Sequence, residues 1–231
     1  MSVAAAKSGY ITNNPAVYSY RDSAVKDISS NNWTISQVGN LQPSSIEPNP
    51  GFRSIYFPQG SGFQLSTSAQ FGFGTGEFTI EGWFLLLKDY SANKVFCDFR
   101  SGQTLVFGFG NTRKPYFYNG TDRYATTALN VNTWYHVVWQ RRAGNFQMYL
   151  DGTSVFTPVA GTTGAASSNI TVGGDNNFGS PQDLRVSQFR IVKGSAVYSG
   201  NFTPSTTPLT AITGTSMLLA TDAIGGIKTQ G

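Results

Sequence analysis

Short runs of aromatic and β-branched residues, separated by turn-forming residues, dominate this chain of 231 residues. No stretch combines the apolar spacing of an amphipathic helix with capping residues at its ends. In the longest run, 77–87, Phe78, Ile80 and Phe84 share one parity, which is typical of a strand that turns one face towards a core. About a dozen such runs predict an all-β sandwich or jelly roll. The predicted strands are 53–57, 77–87, 95–99, 104–109, 115–118, 134–141, 145–150, 153–157, 169–172, 184–192 and 216–220.

Turn signals divide the chain without marking a second domain. Asp151-Gly152 is a two-residue hairpin signal, and Arg-Ala-Gly-Asn at 142–145 is a second short turn. Residues 41–51 contain three prolines, which exclude a helix or a central strand. The first sixteen residues are small and polar. We therefore expect an N-terminal arm or docking segment at 1–16 and a single domain at 17–231.

The composition excludes several classes of protein. Aromatic residues make up 14% of the chain and charged residues only 12%, whereas disordered chains and coiled coils have the opposite bias. The formal net charge is +4 and the basic residues are scattered, so we expect no nucleic-acid partner. The longest apolar stretch, 83–87, is too short for a membrane span, and the first residues lack the apolar core of a secretory signal. We expect synthesis in a cytoplasm, with no signal peptide and no membrane span.

The reactive side chains form no recognisable catalytic or zinc-binding set. Cys97 lies in an apolar run, so we expect its thiol to be buried. His136 is the single histidine, and we expect its ring to be packed structurally. One cysteine and one histidine are too few ligands for a zinc site. Glu77 and Glu81 share a strand face, but Thr79 stands between them and about 13 Å of backbone separates positions i and i+4. A retaining glycosidase holds its two carboxyl groups about 5–5.5 Å apart. We therefore predict that both glutamates are exposed polar residues and that the protein is not an enzyme and has no catalytic residues.

Three pairs of segments follow one another in an order typical of one family. They are Ser-Ile-Tyr-Phe at 54–57 with Glu-Phe-Thr-Ile-Glu-Gly-Trp-Phe at 77–84, Asn-Thr-Trp-Tyr-His-Val-Val-Trp at 132–139 with Met-Tyr-Leu-Asp-Gly at 148–152, and Ile-Thr-Val-Gly-Gly at 170–174 with Leu-Arg-Val-Ser-Gln-Phe-Arg-Ile-Val-Lys-Gly at 184–194. In this order they resemble the laminin-G-like domains of the concanavalin A-like lectin/glucanase superfamily. The resemblance covers roughly residues 18–221. It implies a two-sheet antiparallel jelly-roll sandwich.

A further pair of segments resembles one subgroup of that family. Asp-Ile-Ser-Ser-Asn-Asn at 27–32 and Val-Lys-Gly-Ser-Ala-Val-Tyr-Ser-Gly-Asn-Phe-Thr-Pro at 192–204 are similar to domains of tailed-phage structural proteins, notably those of marine phages. The resemblance implies a virion protein (a fibre, an appendage or a capsid decoration) made in the host cytoplasm. It implies docking to other virion proteins through residues 1–16, a homo-oligomer with a trimer favoured, and contact with host surface glycans. Repeated copies would turn a weak sugar contact into useful avidity.

Two loops combine aromatic rings with amide or carboxylate groups, the mixture that a sugar site needs. The alternative is a hairpin whose aromatic rings cover the edge of the core or lie in a subunit interface. The expected glycan contacts are Tyr116, Tyr118, Asp122, Arg123 and Tyr124 in the first loop and Asp175, Asn176, Asn177 and Phe178 in the second.

The resemblance also leaves one cofactor and two other functions open. Many laminin-G-like domains hold a calcium ion through aspartate side chains and backbone carbonyls, as a hard cation prefers. Asp22, Asp27 and the Asp-Asn-Asn segment at 175–177 are the candidates here, but no spaced acidic motif selects ligands among them. The alternative functions are a soluble lectin, with or without calcium, and a glycan hydrolase on the same fold.

Overall fold

The computed structural model describes residues 25–100, 102–179 and 182–221, and nearly all of its regular structure is β-strand. A single 3₁₀ turn, Ala69–Phe71, interrupts the strands of this described part. The strands are β1 (Lys26–Asp27), β2 (Gln37–Val38), β3 (Gln42–Ser44), β4 (Ser54–Phe57), β5 (Gly62–Ser68), β6 (Phe78–Leu86), β7 (Lys94–Asp98), β8 (Val106–Phe109), β9 (Pro115–Tyr118), β10 (Asp122–Tyr124), β11 (Trp134–Arg142), β12 (Asn145–Leu150), β13 (Thr153–Ser154), β14 (Val159–Ala160), β15 (Ser168–Val172), β16 (Leu184–Lys193) and β17 (Thr215–Ala220).

Two antiparallel sheets form the sandwich. The ten-stranded sheet runs in the order β1-β17-β16-β6-β11-β12-β13, with β14 paired to β12 and β3 joined through β4 to β16. The seven-stranded sheet runs in the order β10-β9-β8-β7-β15-β5-β2. Strands that are distant in sequence lie beside each other, as β6 and β16 do. The predicted all-β fold with two antiparallel sheets is confirmed.

Phenylalanine rings fill the space between the sheets, because inward positions alternate along the strands of both sheets. Phe78 and Phe84 of β6 are fully buried, as predicted. The Phe84 ring makes edge-to-face contacts with Phe96 of the seven-stranded sheet and with Trp139 of β11, with ring centroids 5.0 Å and 5.6 Å apart respectively. Such edge-to-face contacts contribute about 0.5–1.5 kcal/mol each beyond the burial of area. Cys97 lies in the same core as a free thiol, as expected.

Two hairpins of the ten-stranded sheet turn through pairs of residues with positive φ. Ala143 (48°) and Gly144 (82°) join β11 to β12, and Asp151 (47°) and Gly152 (77°) join β12 to β13. Positive φ at both central residues is the type I′ geometry, whose twist matches that of the flanking strands. The Asp151 carboxylate also accepts a hydrogen bond from the backbone N–H of His136 at 2.8 Å. The hairpin predicted at Asp151-Gly152 is confirmed.

The segment that joins β16 to β17, residues 194–214, lies across the outer face of the ten-stranded sheet, and we call it the strap. The Val197 N–H donates to Thr79 Oγ1 at 2.9 Å, and Gln140 Nε2 donates to the Tyr198 carbonyl at 2.7 Å. Under this cover, Thr79 and Glu81 are both 0% exposed. The prediction that Glu81 is an exposed polar residue is therefore wrong. Its alternation with core residues is as expected, but the face opposite the core is covered.

Several short strands lie where the sequence pattern predicts none. Gly62–Ser68 and Asp122–Tyr124 are strands although small and polar residues predominate in them. Pro43 lies in β3, which pairs with β4 alone, so the three-proline segment contributes only an edge strand. Within the described ranges, the structure contains no helix with the length and apolar character needed to cross a membrane. The predicted arm at 1–16 and the calcium candidate Asp22 lie outside the described residues.

Candidate functional site

The outer face of the seven-stranded sheet brings together most of the residues expected to contact glycans. Val95, Val106, Tyr116 and Tyr118 form a small apolar cluster on this face, separate from the main core. Their neighbours along β7, β8 and β9 point between the sheets, as Phe107 does. Tyr116 is only 3% exposed, whereas Tyr118 is partly exposed. The buried members therefore support the exposed ones from below.

Strand β10 adds an exposed aromatic ring and a carboxylate to this cluster. Antiparallel pairing sets Tyr124 opposite Tyr116 and Asp122 opposite Tyr118, so all four side chains share the outer face. The Tyr124 ring stacks on Tyr116 with centroids 5.7 Å apart and keeps 39% of its surface exposed. Its edge lies against Gly110, where an added Cβ would come within 2.9 Å of Tyr124 Cε1. A glycine at 110 thus makes room for the ring.

A network of hydrogen bonds fixes the polar groups beside that ring. Asn93 Nδ2 donates to the Tyr124 hydroxyl at 2.6 Å and to Asp122 Oδ2 at 3.1 Å, and the Tyr124 hydroxyl donates to Asp122 Oδ2 at 3.2 Å. An amide, a carboxylate and a phenol are thereby held next to one another at the sheet edge. Burial, together with the negative charge of Asp122, raises the pKa of Tyr124. The hydroxyl therefore stays protonated and able to donate at neutral pH.

A second polar group lies further across the same face. Asp98 of β7 pairs with Val106 of β8 and with Thr171 of β15, so its side chain points outward. Its buried carboxylate accepts two-pronged hydrogen bonds from Arg100, from Nε at 3.1 Å and from Nη2 at 2.7 Å. It also accepts the backbone N–H of Asn176 at 3.0 Å. The guanidinium, whose side chain is 40% exposed, is consequently held in a fixed orientation.

The second predicted loop, 175–178, borders this polar group. One Asp175 carboxylate oxygen accepts the backbone N–H groups of Asn177 at 3.1 Å and Gly179 at 2.7 Å, which shapes the loop. Asn176 and Asn177 are exposed, so their amides are open to a ligand. The Phe178 ring instead packs towards the sheet, where a Cβ on Gly62 would lie 2.7 Å from Phe178 Cε1. The loop thus contributes amides to the face, while its aromatic ring serves packing.

Arg123 does not join the other predicted residues. It pairs with Phe117, which points into the core, and so lies on the opposite face of β10 from Asp122 and Tyr124. Its Nε atom is buried and has no hydrogen-bond partner in the described part of the chain. Of the nine predicted residues, Arg123 and Phe178 are directed away from the exposed cluster.

Asp27, one of the calcium candidates within the described residues, has a fully engaged carboxylate. It accepts the backbone N–H groups of Ser29, Trp33 and Leu218 at 2.9–3.0 Å and the Ser29 hydroxyl at 2.7 Å. These bonds tie the segment after β1 to β17, which gives Asp27 a structural role. Across the described ranges, no group of three or more His, Cys, Asp or Glu side chains is placed to hold a metal ion.

The other concentration of ionisable groups lies under the strap. Arg190 Nε donates to Glu81 Oε1 at 2.9 Å, His136 Nε2 lies 3.3 Å from Glu81 Oε2, and the Tyr198 hydroxyl donates to Oε2 at 2.6 Å. His136 is 1% exposed, as expected for a packed ring. Glu77, the second carboxylate considered for hydrolysis, accepts the backbone N–H of Ala143 at 3.0 Å. Both glutamates are thus bonded to the protein itself.

Comparison with known proteins places the chain in a family. A family model described as the concanavalin A-like lectin/glucanases superfamily, Laminin_G_3, matches residues 58–197, more than half of the chain. The chain belongs to this superfamily. A search of curated proteins found no matching sequence. The matched residues include the β9–β10 hairpin, β7 and the 175–178 loop, so the outer face described above lies within the family domain.

Several solved structures share the fold at low sequence identity. Domain 4 of AbnA, a GH43 extracellular arabinanase from Geobacillus stearothermophilus, aligns with a TM-score of 0.52 and 13% identity, over 74% of this chain and 81% of that one. The cellulose induced protein Cip1 aligns with a TM-score of 0.50 and 11% identity, over 72% and 95%. HCR/D-Sa-GBL1/C aligns with a TM-score of 0.52 and 15% identity over 72% of this chain, which spans only 45% of that chain. At such identities the likeness concerns the fold alone.

Three residues of the face are absent from the sequence-based prediction. Asn93, Asp98 and Arg100 lie near or in β7, and they reach the site because β7 is separated from β10 by only two strands. One signal for Asp98 and Arg100 is present in the sequence. Opposite charges two positions apart in an extended run share a face. Asn93 has no such signal, since it precedes the strand and its partners lie about thirty residues later.

Proposed function

We propose that this protein is a non-enzymatic carbohydrate-binding domain that binds glycans on the outer face of the seven-stranded sheet. The observation that carries the proposal is the hydrogen-bonded set Asn93, Asp122 and Tyr124 beside the partly exposed ring of Tyr118. Sugar recognition needs an apolar surface for the ring C–H groups and a few fixed polar groups for the hydroxyls. This edge of the sheet offers both, already held in place by the protein.

The layout of the face supports an oligosaccharide ligand. The aromatic cluster is centred on β9 and β10, and the Asp98–Arg100 pair with Asn176 lies at β7, two strands beyond β9. With strands about 4.8 Å apart, β10 and β7 are roughly 14 Å from each other. One sugar ring cannot reach both groups. A glycan crossing the strands would stack on Tyr118 or Tyr124 at one end and meet the guanidinium and the exposed amides at the other.

One structural neighbour provides a precedent for sugar binding on this fold. Domain 4 of AbnA was solved in complex with arabinotriose. That ligand belongs to that domain, and the present chain shares its fold at 13% identity. The precedent supports the class of ligand that we propose here, a short glycan, and leaves the sugar and the contacting residues to experiment.

A glycan array followed by titration calorimetry tests the proposal. We expect the intact protein to bind a subset of oligosaccharides, and we expect Tyr118→Ala and Tyr124→Ala each to weaken that binding by about tenfold. Ile212→Ala is the matched control, because Ile212 is a large exposed apolar residue that precedes β17 in the other sheet. Binding unaffected by both tyrosine changes, or no binding on the array, would refute the proposal.

We further propose that the domain does this work as a virion structural or adhesion protein, a fibre, an appendage or a capsid decoration. The support is the resemblance of 27–32 and 192–204 to tailed-phage structural proteins, with residues 1–16 as the segment that docks to other virion proteins. A homo-oligomer, a trimer in our proposal, would add avidity to a shallow site. Sedimentation of the protein and mass spectrometry of purified particles test this. A monomer in solution that is absent from particles would contradict it.

A soluble lectin is the nearest alternative, and it differs only in acting free of a particle. A glycan hydrolase is a weaker alternative, because Glu81 is enclosed by Arg190, His136 and the strap residue Tyr198. If it were a hydrolase, Glu81→Gln would abolish turnover. We expect instead that the parent protein cleaves none of the glycans that it binds.

A further inference from the structure

We infer that the site discriminates by charge, binding uncharged glycans and rejecting those with uronic or sialic acid residues, and that Asp122 is the residue responsible. This inference rests on the proposed function and concerns the same face. It follows from how the charges near Tyr118 and Tyr124 are compensated.

Asp122 is exposed, and its carboxylate borders the proposed path of the sugar with neutral hydrogen-bond partners only. Within the described residues it accepts hydrogen bonds from the Asn93 amide and the Tyr124 hydroxyl, and no lysine or arginine forms an ion pair with it. Its charge is also felt by the neighbouring ring, since burial and then the charge of Asp122 raise the pKa of Tyr116. The Asp122 carboxylate therefore lies beside the exposed aromatic surface without a cationic partner among the described residues.

Three basic residues near this face have other partners. Arg100 is bound in two-pronged fashion to Asp98, and Arg113 pairs with Asp89. The Lys94 ammonium lies 5.9 Å from the centre of the Tyr90 ring.

Arg123 lies on the opposite face of β10 from Asp122, as its pairing with Phe117 shows. Asp175, at the far side of the face, adds a second carboxylate that has no ion pair within the described residues. Asp122 and Asp175 thus both lack an ion pair within the described residues, although the whole chain has a formal net charge of +4.

The size of the discrimination follows from Coulomb's law. The repulsion between two like charges about 4 Å apart in water weakens binding roughly fivefold, and it weakens binding more where the contact excludes water. A carboxylate on a sugar stacked against Tyr118 or Tyr124 would come to about this distance from Asp122. Because both charges are exposed, the penalty is screened by salt.

The test compares neutral hexose oligosaccharides with the same oligosaccharides capped by a uronic or sialic acid residue. We expect the intact protein to prefer the neutral form at least fivefold at low salt, and we expect 1 M NaCl to reduce this preference. In Asp122→Asn, whose side-chain oxygen still accepts from Asn93 and Tyr124, the ratio of neutral to acidic affinity should fall about fivefold. Glu47→Gln, which removes a carboxylate from the loop before β4, is the matched control and should keep the ratio of the parent.

The outcomes separate this inference from the proposal beneath it. If the protein binds no glycan, the proposed function fails and the inference fails with it. If it binds acidic glycans as well as neutral ones, or if Asp122→Asn leaves the ratio unchanged, the inference fails while carbohydrate binding stands. The salt titration of the unmodified protein gives the answer even if the variant folds poorly: a preference that does not respond to salt would contradict a charge-based mechanism.

Discussion

The guanidinium of Arg190 and the carboxylate of Glu81 form an ion pair that is sealed between a sheet and the strap. Nε of Arg190 donates a hydrogen bond to Glu81 Oε1 at 2.9 Å, and Nη2 of Arg190 donates a second hydrogen bond to the same oxygen. The two residues are 109 positions apart, and they face each other because β6 and β16 are neighbours in register. Tyr198 of the strap donates to the other oxygen of Glu81, so the pair also anchors the covering segment.

Glu81→Gln should destabilise the protein strongly. The substitution leaves the Arg190 charge buried without a counter-ion, which typically costs about 3–5 kcal/mol of the free energy of unfolding. Urea unfolding followed by tryptophan fluorescence measures the loss. Glu77→Gln is the control, because this partly exposed carboxylate accepts backbone N–H groups and its loss should cost about 1 kcal/mol or less. Equal losses in the two variants would show that the buried pair adds nothing.

The stability of the protein should fall as the pH drops below about 4.5, in part because of Glu81. Burial alone would raise the pKa of this carboxyl, but the hydrogen bond from His136 and the charge of Arg190 outweigh it and hold the pKa below its ordinary value of 4.5. A lowered pKa in the folded state means a contribution that is complete above the unfolded value and is lost as the pH falls towards the folded one. Thermal unfolding of the parent and of Glu81→Gln between pH 7 and pH 3 checks this. The variant should show the smaller dependence, and parallel curves would contradict the assignment.

Gly152→Ala should loosen the strap. An added Cβ would lie 1.8 Å from the Phe202 carbonyl oxygen, and φ of +77° is unfavourable for alanine as well. We expect a loss of about 2–4 kcal/mol, with faster amide exchange in residues 194–214. Gly51→Ala is the control for backbone strain alone, because Gly51 has φ of +83° and open space around the added Cβ. We expect that variant to lose about 1 kcal/mol of the free energy of unfolding. If both variants lose the same stability, contact with the strap is unimportant.

Tyr124→Phe should separate binding from folding at the candidate site. It removes the hydroxyl that accepts from Asn93 and donates to Asp122, while the ring keeps its stack on Tyr116. We expect little change in the melting temperature and a threefold to tenfold loss of glycan affinity, as for one or two hydrogen bonds. Tyr135→Phe, which removes a hydroxyl that accepts the Asn130 N–H, is the control. Unchanged affinity in Tyr124→Phe would exclude the polar network from recognition.

Local patterns predict the strands and their inward faces well. Residues 115–118 and 145–150 are strands with the predicted limits, and Phe78 and Phe84 are buried where period-two alternation places them. These features depend on neighbouring residues and on burial of one face. The same alternation puts Glu81 on the outer face of β6, but it cannot show that a segment more than a hundred residues later covers that face. The strap has no regular apolar period: it is held both by hydrogen bonds, such as that from the Val197 N–H to Thr79, and by the packing of Phe202 against His136.

The residues of the candidate site likewise separate into those that a local pattern predicts and those that only the tertiary fold brings in. Tyr118, Asp122 and Tyr124 belong to one hairpin, so their proximity is encoded within seven residues, and the sequence predicts them together. Asn93 and Arg100 join them through the order of strands in the sheet. That order is a tertiary outcome which no local pattern reports. Arg123 fails to join its neighbours for the simplest reason: in an extended strand, adjacent side chains point to opposite sides.

The strap has a consequence for how the domain can be oriented. The strap covers the outer face of the ten-stranded sheet and is anchored there by the hydrogen bond from Tyr198 to Glu81, whereas the outer face of the seven-stranded sheet presents tyrosine and amide side chains. The two broad faces of the domain are therefore chemically different. A copy attached through the strap-covered face would present the candidate glycan site outward, and copies related by a rotation axis would present their sites in equivalent directions.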